Sequence, residues 1–210
     1  ENIIGKCNIM KKQVYISADY SESNGDRDVV EKLNQWGSDN LHKVDFIDMS
    51  RVASGSVSGT TDCRICDLKA EFNRQINASS AVIIIIGNKT KDRTAGKSCG
   101  RVNNEQKACE CTPYKQNTNG AKPCKVKTAV PAKSNNVGSI NSYSYLQHEF
   151  EQAKKKGKDI IVLYNSTKCE TNWIPEYMSE YKEIARPFWI ADDNGRTVGD
   201  YAYIKEALGF

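Results

Sequence analysis

Glu149 is the titratable residue whose position most suggests chemistry. It lies three residues after Leu146, so at 100° per residue it sits about 60° away on the same helix, flanking an apolar stripe of Leu146, Phe150 and Ala153. A carboxylate so placed is partly desolvated and held, the state in which its charge or its proton becomes useful. The plainer reading is a boundary residue paired with a neighbouring lysine. By the same geometry His148 and Glu151 point away, toward solvent. The chain has two histidines, His42 and His148, and neither stands in a metal-ligand pattern.

Thiols form the second cluster. Six of the eight cysteines lie between Cys63 and Cys124. Cys99, Cys109, Cys111 and Cys124 occupy a segment too polar to build its own core, and zinc held by four thiolates would order it. The spacing C-x9-C-x-C-x12-C matches no familiar finger pattern, so disulfides and free thiols remain open beside a structural zinc. Cys63-x2-Cys66 can add a pair but opens a predicted helix. No G-x-G-x-x-G and no GxxxxGK[ST] follows any strand. The run Gly55–Gly59 does not lead from a strand into a helix as a phosphate loop should.

Alternating strands and helices must position these groups. Gln13–Ser17 and Val44–Asp48 read as strands, with a helix over Asp26–Trp36 between them. A second helix carries Ile65, Leu68, Phe72 and Ile76 and ends near Asn77. Val82–Ile86 is five β-branched residues in a row, which need apolar cover on both faces, as in a central parallel strand. Residues 89–140 show no periodicity and form a cysteine-rich insertion within a single domain of residues 1–210. A helix over Ser142–Lys156, stopped by Gly157, leads into the strand Asp159–Tyr164. A helix at Pro175–Ile184, a strand at Pro187–Ile190 and a helix from Asp200 follow. This order predicts an α/β fold: a flavodoxin-like parallel five-stranded sheet, order 2-1-3-4-5, with helices on both faces. Ligands bind such sheets beyond the carboxyl ends of the strands, where the strand order reverses.

Composition narrows the function classes. An apolar fraction of 39% with 27% charged residues suits a soluble globule. The net charge of +4 is spread over interspersed signs, with no basic face for nucleic acid. The apolar run Ala81–Gly87 is too short to span a bilayer, and residues 1–10 lack a signal-peptide core, so the expected location is cytoplasmic, with no membrane partner. Sequons at Asn77, Asn88 and Asn165 carry little weight, since such tripeptides arise by chance. The basic cluster Lys154–Lys158 reads as a solvated face that complements a helix dipole.

Taken in order, VYISADY (14–20), VDFID (44–48), SSAVIIIIGNKT (79–90) and SYSYLQHEFEQAKKKGKDIIVLYN (142–165) resemble a TIR domain. Within that fold they are most similar to the TIR-like ThsB proteins of bacterial Thoeris antiphage systems. The resemblance spans about Gln13–Ile190 apart from the insertion. It implies NAD as substrate and cleavage of its nicotinamide glycosidic bond, yielding a linear or cyclised ADP-ribose messenger. It also implies a downstream effector that senses the product, a phage-derived activator, and self-association that completes the active site. Glu149 takes the place of the catalytic glutamate. Ser17, Asp19 and Tyr20 fall in the first pocket loop, Asp48 and Arg51 in the second, and Asn88 after the third strand, with Tyr145 at the helix start. The residues alone also admit a non-catalytic interaction module, or an enzyme acting on other nucleosides through the same glutamate.

Overall fold

The structure is a computed structural model that describes residues 12–20, 25–39, 41–42, 44–48, 71–92, 116–117, 120–121 and 145–210. Strand β1 (Lys12–Ser17) leads to helix α1 (Arg27–Ser38), strand β2 (Val44–Asp48), helical residues 71–78 (α2) and strand β3 (Ala81–Ile86). A two-residue antiparallel ladder, β4 (Gln116–Asn117) with β5 (Gly120–Ala121), lies within the expected insertion. Helix α3 (Tyr145–Lys155), strand β6 (Asp159–Tyr164) and strand β7 (Arg186–Pro187) follow. The chain continues through a hairpin of β8 (Trp189–Ala191) and β9 (Thr197–Gly199) to helix α4 (Tyr201–Ala207).

β1, β2, β3, β6 and β7 form one sheet in which every pair is parallel, in the order β2-β1-β3-β6-β7. Counting only its own strands, this is the expected 2-1-3-4-5 winding. All six residues of β3 are buried, because the strand lies inside the sheet and is covered on both faces. Successive side chains alternate between those faces. Val14, Ile16, Ile83, Ile85, Ile161 and Leu163 pack with α1 and α4, whereas Tyr15, Val82, Ile84, Val162 and Tyr164 pack with α2 and α3. The α3 stripe of Leu146, Phe150 and Ala153 is buried as its spacing predicts. Gly157 adopts φ +59 just beyond the helix, a conformation that glycine reaches without a Cβ clash.

The carboxyl-terminal third departs from expectation in two places. The segment expected as a helix at Pro175–Ile184 is a 3-10 stretch over Glu176–Tyr181, interrupted at Met178 by φ −114 and ψ 17. The strand expected at Pro187–Ile190 divides. Arg186–Pro187 joins the main sheet, while Trp189–Ala191 pairs antiparallel with β9. Between them Phe188 is fully buried and donates its N–H to the Tyr164 carbonyl at 2.9 Å, so the chain turns there instead of running on. The zinc candidates Cys99, Cys109, Cys111 and Cys124 and the pocket candidate Arg51 lie outside the described residues.

Candidate functional site

The odd-numbered face of β1 carries Tyr15 and then Ser17, the last residue of the strand. Both side chains are fully buried and face α3, where Glu149 is 2% exposed. The Tyr15 hydroxyl and the Ser17 hydroxyl each donate to the Glu149 carboxylate, one to each oxygen. A carboxylate withdrawn from water requires such donors, and each buried bond to a charged acceptor is worth about 1.5–3 kcal/mol. The phenol is well suited to donate. Burial first, then the negative charge of Glu149, drive the Tyr15 pKa well above its ordinary value and keep the proton on oxygen.

A second buried acid faces Tyr15 from α2. Glu71 is 1% exposed, its carboxylate accepts from Arg74 and Gln75, and its charge adds to the upward shift of the phenol. His148, expected to face solvent, is buried, and its Nε2 lies 2.9 Å from Asn73 Oδ1 on α2. Helical periodicity locates the side that meets the sheet, but it is silent about a neighbouring helix that covers a second side. Tyr145 is half-buried and meets Phe72 edge-on at 5.6 Å.

The other expected pocket residues are spread more widely. Asp19 is buried, and its carbonyl accepts the Asp26 N–H at 2.7 Å. The Tyr20 hydroxyl donates to the Ile16 carbonyl at 3.2 Å, and the ring packs on the α1 side of the sheet. Asp48, the last residue of β2, is buried and accepts from Asn34 Nδ2 of α1 at 2.7 Å. Asn88 is exposed in the turn after β3. Glu149, Ser17 and Tyr145 therefore belong to the α2–α3 face, and Tyr20 and Asp48 to the α1 face.

Sequence reasoning passed over Tyr15, Glu71, Asp26 and Asn165. Tyr15 and Ser17 are separated by two, so the period of a strand already put both on one face. Asp26 stands where a helix N-cap belongs, directly before α1. It is 3% exposed, and burial raises its pKa to about 6, against the opposing pull of the Asn165 bond. Asn165 follows β6 directly and donates from Nδ2 to Asp26 Oδ1 at 3.0 Å and to Asp28 Oδ1 at 2.9 Å. Both groups lie at the carboxyl edge of the sheet.

A cavity of about 260 Å³ lies at the opposite end of β6, lined by Asp159, Ile160, Tyr181, Ile184 and Tyr203. Asp159 is the one carboxylate in that lining, and it stands there with the phenols of Tyr181 and Tyr203. Among the described residues no group of three or more His, Cys, Asp or Glu side chains is arranged to hold a metal ion, and no helix is long and apolar enough to cross a membrane. Compared with family models, with curated proteins and with solved structures, the chain matches none of them.

Proposed function

We propose that the chain is a TIR-like enzyme that cleaves the nicotinamide glycosidic bond of NAD, with Glu149 as the catalytic carboxylate. One observation carries this reading: a buried carboxylate at the carboxyl edge of a parallel sheet, immobilised by the Tyr15 and Ser17 hydroxyls. Nicotinamide leaves a pyridinium as a neutral molecule, so positive charge develops on the ribose carbon it departs from. A fixed anion beside that carbon stabilises the charge without reorganising at the moment of reaction. The Tyr15 and Ser17 hydroxyls are neutral donors, so they hold the carboxylate without cancelling its charge. Attack by water gives ADP-ribose, and attack by a hydroxyl of the same molecule gives a cyclic product.

The same resemblance supports a role in bacterial antiphage defence, in the cytoplasm, with a product-sensing effector and activation by a phage component or by self-association. Mass spectrometry of NAD incubated with concentrated protein tests the chemistry. Wild type releases nicotinamide, and Glu149→Gln lowers that rate by about 10²–10³-fold. Equal turnover by the variant removes Glu149 from the role.

The two hydroxyl bonds also favour a second reading, in which Glu149 is a polar tie between α3 and β1 in a non-catalytic interaction module. Under that reading Glu149→Gln lowers the melting temperature, and neither protein turns over NAD at any concentration.

A further inference from the structure

Four segments meet around Asp26 on the α1 side of the carboxyl edge. Its N–H donates to the Asp19 carbonyl beyond β1 at 2.7 Å, and its Oδ1 accepts from Asn165 beyond β6 at 3.0 Å. Asn165 in turn donates its N–H to the Ile86 carbonyl of β3 at 2.9 Å, and its Oδ1 accepts the Trp189 indole N–H at 2.8 Å. The carboxyl group presses against Gly87, where an added Cβ would lie 2.3 Å from Oδ1. Its second oxygen, Oδ2, is buried with no hydrogen-bond partner.

We propose that Asp26 is a proton-operated latch: its neutral carboxyl group ties the start of α1 to the ends of β3 and β6, and ionisation releases that tie. The reason is local solvation. An anion at this position has the Asn165 amide and the Asp19 backbone to satisfy it, and its Oδ2 has nothing. The charged groups facing it make matters worse. Asp19 at the end of β1 and Asp28 on α1 are both acidic, while the Arg27 guanidinium turns to the Tyr20 carbonyl at 3.0 Å. The ends of β3 and β6 contribute Gly87, Thr90 and Asn165, and β8 contributes Trp189 behind Asn165, none of them charged.

The direction follows from the raised pKa. The neutral form is favoured in the closed state, so the tie is complete below the ordinary value of 3.8 and weakens as pH rises through about 6. If opening returns the group to water, the open population grows about tenfold between roughly pH 5 and 7.5. The latch lies between the ends of β1 and β3, where this winding leaves its ligand crevice, so it couples crevice opening to proton concentration. It does not depend on the NAD reading, and its test needs no substrate.

Amide hydrogen exchange by NMR, corrected for intrinsic rates, reads the opening at Val30, whose N–H is bonded to the Asp26 carbonyl. Wild type is expected to lose protection there about tenfold from roughly pH 5 to 7.5, while Asp26→Asn stays flat. The Trp189 indole resonance should titrate with the same midpoint in wild type. Asn165→Ala, which removes the amide donor, should move the Asp26 carboxyl carbon titration to higher pH. Equal pH slopes in wild type and Asp26→Asn overturn the latch. Should that variant not fold, a wild-type Asp26 carboxyl that titrates below about pH 4.5 overturns it equally, and a midpoint near 6 supports it.

Discussion

At Glu149 two hydroxyls from one strand converge on one carboxylate from a helix, and both donors are themselves buried. Tyr15→Phe removes one donor with little change of volume. It should destabilise the fold by about 1–3 kcal/mol in urea titration, because a charged acceptor is left short of a bond. An unchanged unfolding midpoint would mean that water replaces the phenol. Gly87→Ala belongs to the same scale. The methyl group has to displace the Asp26 carboxylate, so a loss of about 1–3 kcal/mol is expected, and the stability difference between pH 5 and pH 7.5 should shrink with it. Thermal melts at the two pH values measure both effects. Glu149 was legible as a candidate because helical spacing alone put it beside the apolar stripe. Of its donors, Ser17 was reached only through the TIR resemblance and Tyr15 was not identified, since which strand lies under α3 is decided by residues far apart in the chain.

Among the elements, β3 and α3 were the most readable. A run of β-branched residues demands two covered faces, and Leu146, Phe150 and Ala153 demand one. Phe150 is fully buried between β3, β6 and the rings of Tyr177 and Tyr181. Phe150→Ala should therefore lower stability by about 3–5 kcal/mol, read by chemical denaturation, and a loss under 1 kcal/mol would mean that the site collapses around the gap. By contrast the Lys154–Glu180 pair, 2.8 Å apart with both side chains about half exposed, is expected to contribute under about 1 kcal/mol. The segment after β6 was harder to read. Pro175, Met178 and Phe188 make its turns, and a buried phenylalanine between two short strands has the same local pattern as one continuous strand.

For the whole molecule, the five-stranded parallel sheet lies between two apolar layers, and its carboxyl edge carries two separate polar clusters, one on each face. Glu149 with Tyr15 and Ser17 occupies the α2–α3 face, and Asp26 with Asn165 and Trp189 the α1 face. The alternation of strand and helix signals was enough to set the α/β class, because hydrophobic period is a local property of the chain, and it led to the 2-1-3-4-5 order as one of the few windings such units adopt. Only the tertiary structure decided which polar side chains meet. Burial of His148 comes from a neighbouring helix, pairing of Asp48 with Asn34 from the helix that crosses β2, and the raised pKa of Asp26 from three strand ends closing around one carboxyl group. Desolvation and hydrogen bonding depend on what surrounds a group in space, and linear order does not contain that information.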